Sequence, residues 1–384
     1  MKCEKLFNEI EKLNDEYLDF LVNVCNTESQ TIDKEGVDKV GKLFIEKAKK
    51  EGFKIEVFPQ AVAGDVVVIT MNEDSSELPL CTSGHMDTVH PKGLFGYPPV
   101  KDLGDTLVGP GLVDCKGGAV AGLMAMKALK NVGYTKRPIM LLLQSDEETG
   151  SSTSKRATIN YICERSKNAL AFLNTEGHNE GEMCLERKGI LRFKFTVKGK
   201  ACHSSRCFEG VNAVTEASHK IIKLEQMKDQ KGLTCNCGVI SGGTVANSVA
   251  EICTFLADIR FSTSEEMDYA REYVKKIASE NVLDGASSTV EEISFRPAME
   301  NSPKNYALAD KLNAIYKENG LPVLSMKKYF GGSDTAYTTN YGIPSIDCLG
   351  TEGKFIHSER ECMKKSSLVS SAKRIASVFY CFDD

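Results

Sequence analysis

The stretch that most limits the fold of this chain is the apolar run PIMLLLQ at residues 138–144. A strand with one face in water alternates apolar and polar residues, whereas a continuous run of this length predicts a strand buried on both faces. Such strands occur mainly in parallel or mixed sheets that helices cover on both sides. The run therefore predicts a layered α/β fold.

The segments on either side of this run alternate as an α/β sheet requires. Strand-like runs occupy 66–70, 78–84 and 169–175, and helices are predicted at 117–133 and near 153–165. After residue 303 the alternation of helices and strands resumes. A helix is predicted at 304–319, strands near 322–329 and at 344–350, and a last helix from about 361. We therefore expect an α/β domain in which a mixed sheet lies between helices.

A different pattern separates these two parts of the chain. Residues 189–199 alternate apolar and polar side chains, which is typical of a strand with one solvated or helix-covered face. Helices at about 210–227 and 264–281, with three further strand-like runs, complete the β-α-β-β-α-β order of a compact four-stranded α+β unit. The sequence therefore predicts one domain from residues 1–183 and 303–384, with a second domain inserted at 184–302.

Composition disfavours several classes of function. The formal net charge is -5 and no basic run occurs, so we expect no nucleic-acid partner. The longest apolar runs are the length of strands, far short of a membrane span, and the charged N-terminal helix lacks the apolar core of a signal peptide. The 14 cysteines include no C-x-x-C pair and are interpreted as reduced thiols, which predicts a cytoplasmic protein.

Acidic and imidazole side chains follow several of the predicted strands. They are His85 and Asp87 after the strand at 78–84, Glu147 and Glu148 after 138–144, Glu176 after 169–175, Asp114 in a loop before a helix, and His357 in a loop near the C-terminus. Open α/β sheets bind ligands beyond the carboxyl ends of their strands, where these side chains are expected to meet. Clustered carboxylates are costly unless they are paired or bind a metal, so the pattern predicts a metal site.

The ligand types indicate which metal binds and how many ions there are. Imidazole together with carboxylate suits zinc, with cobalt and manganese as alternatives. The number of ligands fits two ions better than one, although the pattern alone does not fix the number. In the two-ion arrangement the bridging residue is Asp114, one site is completed by His85 and Glu176, and the other by Glu148 and His357.

The remaining acids have different predicted roles. Asp87, two residues after His85, is expected to accept a hydrogen bond from the second imidazole nitrogen and so set its tautomer. In an extended segment adjacent side chains point in opposite directions, so Glu148 can bind metal while Glu147 faces the attacking water as a general base. Asp146 is expected to be structural. The alternatives are a solvated acidic turn and, for the aspartate before the helix, a plain N-cap.

Short motifs that contain these residues resemble the dinuclear-zinc exopeptidase and deacylase family. In chain order they are GHMDTV, GPGLVDCKGG, DEETGS, TEG, GKACHSS, GGTVANSVAE followed by ADIR, GGSD and IHSE. The family includes glutamate carboxypeptidase, acetylornithine deacetylase, succinyl-diaminopimelate desuccinylase, aminoacylase and bacterial di- and tripeptidases. The resemblance covers nearly the whole chain and is closest to the glutamate carboxypeptidase branch.

The resemblance implies roles for residues in both domains. It implies the two-zinc ligand set described above in a catalytic domain of the zinc-exopeptidase type, with Glu147 as catalytic base and Asp87 in support. It also implies a cis peptide between Asp114 and Cys115. The inserted domain would be a lid and dimerisation domain, so the resemblance implies a homodimer.

Substrate contacts are implied for the lid and for one loop of the catalytic domain. His203 would reach the active site of the partner subunit and stabilise the oxyanion, while Asn247 and Arg260 would bind substrate, with Arg260 gripping a carboxylate in bidentate fashion. The backbone contacts to the substrate carboxylate would come from Gly331, Gly332 and Ser333, in the loop that ends at Asp334.

Together these observations predict a metal-dependent amide hydrolase for small peptides with a free C-terminal carboxylate, of the carboxypeptidase or dipeptidase type. A deacylase of N-acyl-amino acids is the close alternative. The intact ligand set disfavours a non-catalytic binding protein. A phosphoesterase would need cationic residues around the metals, and it is disfavoured because Arg260 lies in the inserted domain. His178 competes as a ligand because it lies two residues after Glu176. Cys202 and His203 are not expected to form a dyad, since neighbours on a strand face opposite ways.

Overall fold

The computed structural model describes residues 2–229 and 232–383, which form two compact units. The larger unit contains the stretches up to Glu186, from Asn301 to Lys328 and from Ser333 onward. The inserted unit contains Arg187–Glu300 together with Tyr329–Gly332. Within the described ranges, no helix is both long and apolar enough to cross a bilayer.

The helices and strands follow one another in the order expected for an interrupted α/β chain. The first part of the larger unit contains α1 (Glu4–Asn26), α2 (Lys34–Lys50), β1 (Lys54–Phe58), β2 (Val66–Met71), β3 (Leu80–His85), β4 (Lys101–Asp102), β5 (Thr106–Val108), α3 (Lys116–Asn131), β6 (Ile139–Gln144), α4 (Ala157–Ser166), β7 (Ala171–Asn174) and β8 (Glu182–Arg187). The inserted unit contains β9 (Gly189–Lys198), α5 (Ala213–Glu225), β10 (Thr234–Gly242), β11 (Ile252–Phe261), α6 (Ser264–Ser279) and β12 (Ser287–Arg296). The chain then continues with α7 (Pro303–Glu318), β13 (Ser325–Tyr329), α8 (Thr335–Asn340), β14 (Ser345–Ile346), β15 (Gly353–Lys354), β16 (Cys362–Lys364) and α9 (Ser366–Cys381).

The main sheet of the larger unit has six strands in the order β1-β2-β6-β3-β7-β14. Strand β3 pairs in parallel with both β6 and β7, and β14 pairs in parallel with β7. Strand β2 is antiparallel to both β6 and β1. The sheet is therefore mixed, as predicted.

Strand β6 contributes side chains to a core on each face of this sheet. Leu141 and Leu143 belong to the apolar cluster that includes residues of α1, α3 and α9. Met140 and Leu142 belong to a second cluster that includes residues of α4. Burial of each such side chain stabilises the fold by roughly 1.5–3 kcal/mol. The prediction from the run at 138–144, a strand buried on both faces, is confirmed.

The inserted unit is built on a four-stranded antiparallel sheet in the order β10-β11-β9-β12. The alternation along β9 places Leu191, Phe193, Phe195 and Val197 in one apolar cluster with residues of α5 and α6. The rings of Phe195 and Phe255 stack there with centroids 4.6 Å apart. The predicted four-stranded α+β unit is confirmed, and both of its helices pack in the same apolar cluster.

Two predicted elements are shorter in the structure than in the sequence analysis. The helix predicted near 153–165 begins only at Ala157, because Lys155 and Arg156 have positive φ angles of 55° and 69°. The strand predicted at 344–350 is reduced to β14, since Asp347 Oδ1 accepts the main-chain N–H of Cys348 at 2.7 Å and Cys348 has a φ of 64°. Local turns therefore end both elements where apolar pattern alone would extend them.

Candidate metal centre

Two histidines and three carboxylates meet at one edge of the main sheet. Nε2 of His85 lies 3.0 Å from Oδ1 of Asp114 and 3.7 Å from Oε1 of Glu176. Nε2 of His357 lies 3.0 Å from Oδ2 of Asp114 and 3.2 Å from Oε2 of Glu148. The structure thus brings together all five residues predicted as metal ligands, and Asp114 stands between the two imidazoles.

The parallel strands of the sheet explain why these residues meet. Strand β3 lies between β6 and β7, with His85 opposite Gln144 and Ser83 opposite Asn174. The carboxyl ends of the three strands therefore lie side by side. The residues that follow each strand emerge at the same edge, which is where open α/β sheets form their sites.

The loop that carries Asp114 enters α3 through close backbone packing. A Cβ atom on Gly118 would lie 2.0 Å from the main-chain oxygen of Thr175, so only glycine allows α3 to begin this close to Glu176. The peptide between Asp114 and Cys115 is cis. The cis bond implied by the resemblance is confirmed.

Asp87 contacts more of the cluster than the sequence analysis expected. Nδ1 of His85 lies 2.9 Å from the main-chain oxygen of Asp87 and 3.3 Å from its Oδ1, both acceptors, so this nitrogen carries the hydrogen. The Asp87 carboxylate also accepts the main-chain N–H groups of Glu147 and Glu148 at 3.2 and 3.1 Å. The hydroxyl of Thr31 donates to it at 2.7 Å. Asp87 therefore orients one imidazole and holds the acidic turn.

The acidic turn is a single turn of 3₁₀ helix, Glu147–Thr149, so the predicted extended conformation is wrong. Gly150 closes the turn with a φ of 64° and donates its N–H to the Glu147 main-chain oxygen at 2.7 Å. Adjacent side chains still diverge, because a 3₁₀ helix has about three residues per turn. Asp146 is buried and accepts the Thr158 hydroxyl at 2.6 Å, which fits its predicted structural role.

The close approach of imidazoles and carboxylates shifts the pKa values of the residues in the cluster. Hydrogen bonds to Asp114 and Glu148 raise the pKa of His357 to about 11. Burial opposes a charge on Asp114, yet the hydrogen bonds from both imidazoles hold the pKa of its carboxyl well below its usual range. Burial raises the pKa of Glu148 to about 7 and also raises the pKa of Glu176. The cluster requires positive charge, which a divalent cation would supply in place of protons.

The donor atoms fit a cation of the zinc type. Ligand atoms of His85, Asp114 and Glu148 lie within 4.8 Å of one another, as do those of His85, Cys115 and Glu176. Cys115 Sγ accepts the His85 main-chain N–H at 3.1 Å, and burial raises the pKa of this thiol to about 12. Most of the donors are imidazole nitrogens and carboxylate oxygens, which suit zinc.

The competing ligand His178 takes no part in these groups. Its Nδ1 lies 2.6 Å from the main-chain oxygen of Asn179, and burial lowers the pKa of the imidazole. Among the described residues, the candidate ligand groups do not include it.

In the inserted unit, His203 and Asn247 are close neighbours. The main chains of His203 and Ser248 form a β-bridge, and the N–H of Ser204 donates to the main-chain oxygen of Asn247 at 3.0 Å. The exposed imidazole of His203 has its Nδ1 2.8 Å from the Ser205 hydroxyl. It lines a cavity of about 540 Å³ with Lys200, Ala201, Cys202, Ser205, Arg206 and Glu209.

Arg260 is engaged within its own unit. Its Nε lies 2.6 Å from Oδ1 of Asp258, and its Nη2 lies 3.3 Å from Oδ2. Asp258 also accepts Nε–H of Arg192 at 2.7 Å. A substrate carboxylate that uses Arg260 must therefore compete with Asp258 or approach the remaining edge of the guanidinium.

The predicted glycine loop packs closely against arginine side chains. A Cβ atom on Gly332 would lie 2.5 Å from Cδ of Arg296, and Nη1 of Arg187 donates to the Gly331 main-chain oxygen at 3.4 Å. In the larger unit, Ser333 is buried, and its hydroxyl accepts from Asn174 Nδ2 at 3.2 Å. Ser333 therefore supports the sheet edge through its side chain, which the sequence analysis did not predict.

Sequence reasoning missed one acid beside the cluster. Glu361 is fully buried, and its carboxylate accepts main-chain N–H groups of the loop that carries Asp114. It lies in the charged stretch SERE, which by composition resembles a solvated surface segment. Its position four residues after His357 is the only signal in the sequence that could have drawn attention to it.

The fold and the cluster together define a metal-dependent hydrolase. Residues 81–380 match the model of Peptidase family M20/M25/M40. The chain is 32% identical over 347 residues to Carboxypeptidase G2 from Pseudomonas sp. (strain RS-16), which covers 88% of this chain and 82% of that protein. The chain therefore belongs to the M20/M25/M40 peptidase family and is a hydrolase of the metallopeptidase type.

Further relatives carry both peptidase and deacylase names. The chain is 28% identical over 224 residues to Acetylornithine deacetylase from Pasteurella multocida, covering 54% of this chain and 57% of that protein. The crystal structure of aminopeptidase PepT from Bacillus cereus has the same fold, with a TM-score of 0.77 at 20% identity over 96% of this chain and 97% of that one. The family resemblance inferred from the motifs is confirmed.

Proposed function

We propose that the chain is a dinuclear zinc exopeptidase that cleaves the amide bond of small peptides with a free C-terminal carboxylate. The observation that carries the proposal is the position of Asp114, whose two carboxylate oxygens each lie 3.0 Å from a different imidazole. One ion would be held by His85 and Glu176 and the other by Glu148 and His357, with Asp114 shared. The 32% identity to a carboxypeptidase over 88% of the chain favours a peptidase.

In this proposal the chain's own residues move the protons. Bound zinc ions would supply Lewis acidity at the scissile carbonyl and lower the pKa of water in the site. Glu147, only 7% exposed, takes a proton from the attacking water and returns it to the leaving amine. Asp87 keeps that base in place, because it accepts the main-chain N–H groups of both Glu147 and Glu148.

Substrate binding is proposed for residues of both units. His203 from a partner subunit would donate to the oxyanion, since its imidazole is exposed and lines a cavity. Asn247 and Arg260 would hold the substrate, with Arg260 facing its carboxylate. The remaining backbone contacts are proposed for Gly331, Gly332 and Ser333.

A deacylase of N-acyl-amino acids is the second candidate. The similarity to an acetylornithine deacetylase, at 28% identity over 224 residues, favours it. Both reactions cleave an amide bond, and they differ in whether the acyl side carries an amino group. The two candidates therefore share the proposed metal chemistry and separate on substrate.

We expect amine release from free di- and tripeptides by the metal-loaded protein, and loss of that activity with a chelator. C-terminal amidation should lower kcat/KM by about 10–100-fold, because a charge-assisted hydrogen bond contributes roughly 1.5–3 kcal/mol. The measurement compares free peptides, their amidated forms, and N-acetyl and N-succinyl amino acids as matched controls.

The substrate panel separates the candidates. Cleavage of N-acyl amino acids alone would replace the peptidase proposal by the deacylase. Equal rates on free and amidated peptides would contradict recognition of the carboxylate. Turnover that survives complete metal removal would contradict the metal-dependent mechanism itself.

We also propose that the inserted unit pairs with a second copy of the chain. Strand β10 lies at an edge of its sheet, and Val239 and Ile240 on it are 58% and 48% exposed. Val245, just beyond the strand, is 59% exposed. An exposed apolar edge strand is a template for pairing with another chain. A homodimer formed there would cover this edge.

Mixing two inactive variants tests whether the partner supplies His203. His203→Ala and Glu147→Gln homodimers should each be nearly inactive. After random exchange, about a quarter of wild-type activity should return, because half of the dimers are mixed and each mixed dimer contains one intact site. A 1:1 mixture assayed before and after subunit exchange provides the measurement.

Two outcomes would contradict the proposed role of the partner subunit. Failure to regain activity, with exchange verified by differently tagged subunits, would contradict a contribution from the partner. A monomeric mass in solution for the wild-type protein would contradict pairing.

We propose a cytosolic location for the enzyme. The fourteen cysteines include no C-x-x-C pair, and the structure joins none of them in a disulfide. Cysteines that stay reduced are typical of a reducing compartment. Recovery of the chain outside the cytosol after cell fractionation would contradict the proposal.

A further inference from the structure

Glu361 has more main-chain donors than any role as a surface acid would need. Its Oε1 accepts the N–H groups of Val113 and Asp114 at 2.8 and 3.1 Å. Its Oε2 accepts the N–H of Gly111 at 3.2 Å and lies 2.9 Å from Nε2 of His90. Four neighbours therefore converge on one carboxylate.

This carboxylate has no contact with solvent. Glu361 is 0% exposed and His90 is 6% exposed. The ring of His90 packs edge-on against Phe95, with centroids 5.0 Å apart, so packing holds the imidazole in place. Leaving a charged group in such surroundings without its partners would cost several kcal/mol. Both carboxylate oxygens of Glu361 therefore have hydrogen-bond partners within the protein.

The main chain of Glu361 holds the same loop at a second point. Its carbonyl oxygen accepts the N–H of Gly109 at 3.1 Å, and the following strand β16 pairs with β5 just before that glycine. Glu361 therefore forms hydrogen bonds with the main chain of this loop from Gly109 to Asp114.

The loop ends at Asp114, the residue whose carboxylate contacts both imidazoles of the cluster. Asp114 has one oxygen 3.0 Å from His85 and the other 3.0 Å from His357. A small rotation of its main chain would lengthen at least one of these contacts. Glu361 fixes the N–H of Asp114 itself, so it acts on the orientation of that carboxylate directly through the backbone.

We propose that Glu361 is a positioning residue that holds Asp114 midway between the two metal sites, with His90 as its support. It touches neither substrate nor the reacting atoms. Its function is to keep the spacing between His85 and His357 suited to two ions that share one carboxylate. The inference rests on the metal-binding part of the proposed function.

Glu361→Gln is the variant that tests this role. The amide keeps the shape of the side chain but offers only one acceptor oxygen. Its NH₂ group would therefore face a main-chain N–H donor that the second carboxylate oxygen accepts in the wild-type protein. Residues that support metal ligands in this way typically change metal affinity by about 10–100-fold. We expect cobalt to bind metal-free Glu361→Gln with that loss of affinity, measured from visible absorption and calorimetry.

Glu216→Gln in the inserted unit is the matched control. Glu216 is also fully buried, and it accepts the N–H groups of Val282 and Leu283 at 3.0 and 2.8 Å beside Lys220. Like Glu361, it is a buried carboxylate that accepts main-chain N–H groups, but it belongs to the inserted unit and not to the metal cluster. We expect it to lower the thermal midpoint as Glu361→Gln does, without changing cobalt affinity.

His90→Phe covers the case in which Glu361→Gln does not fold. It keeps an aromatic ring against Phe95 and removes one of the four contacts to the carboxylate. It should weaken cobalt binding in the same direction by a smaller factor.

The outcomes separate the inference from the proposed function. If the wild-type protein binds no cobalt, that result would contradict the metal site and with it the proposed function. Wild-type protein that binds two equivalents, with unchanged affinity in folded Glu361→Gln, would overturn the positioning role alone. Unchanged affinity in His90→Phe would overturn it if the glutamine variant is unfolded.

Discussion

Glu147→Gln is expected to lower kcat by about 10²–10⁴-fold, the usual contribution of a positioned general base. Glutamine fills the same space but cannot accept a proton from water. The main-chain N–H of residue 147 would still donate to Asp87 at 3.2 Å, so the turn and its neighbour Glu148 should stay in place. Metal content should therefore remain that of the wild-type protein while turnover is lost.

The adjacent residue supplies the control for this experiment. Glu148→Gln should lower metal affinity first, because Glu148 Oε2 lies 3.2 Å from Nε2 of His357 in the cluster. Metal content by elemental analysis and kcat from initial rates would be measured for both variants. Normal turnover in metal-loaded Glu147→Gln would contradict its assignment as the base, and so would loss of metal in that variant.

Asp114→Asn is expected to lower metal affinity by roughly 10²–10⁴-fold, with activity lost in proportion. An asparagine has one acceptor oxygen where the aspartate presents one to His85 and one to His357. Breaking a buried charge pair by removing one partner costs about 3–5 kcal/mol, which corresponds to that range. The expected loss is greater than for Glu361→Gln, because the shared carboxylate itself is removed.

Asp146→Asn is the appropriate comparison for that variant. Asp146 is also buried, but its carboxylate accepts from Thr158 and Ser154 outside the cluster. It should retain metal after exhaustive dialysis, whereas Asp114→Asn should not. Two equivalents of retained metal in Asp114→Asn would show that no shared carboxylate is needed.

The sequence was sufficient to predict every strand of the main sheet except the edge strand β1, because burial on two faces leaves a strong pattern. The apolar run of β6 supplies Leu141 to one core and Leu142 to the other, and no amphipathic helix has that composition. The short strands β4, β5, β15 and β16 were not predicted, since two or three residues are too few to show a period. The pair β5 and β16 nevertheless flanks the loop that ends at Asp114.

The sequence was sufficient to predict which residues meet at the site and how they group, but not the local backbone turns that orient them. Parallel strands that end together bring His85 and Glu176 to one edge, which sequence order reveals. Which carboxylate oxygen faces which imidazole depends on backbone turns. The 3₁₀ turn at Glu147–Thr149 is an example, because it depends on Gly150 adopting a left-handed conformation.

The insertion of one unit into another orders events during synthesis of the chain. Nearly all of the inserted unit is a continuous segment, Arg187–Glu300, whereas the larger unit needs Asn301 and later residues to complete its sheet with β14. Domains generally fold as units while the chain emerges from the ribosome. The inserted unit can thus acquire its structure before the larger unit is complete, since β14 and α9 of the larger unit follow it in the chain. His357 is the last of the five clustered side chains to be made, so a nascent chain holds an incomplete set of ligands until translation is nearly finished.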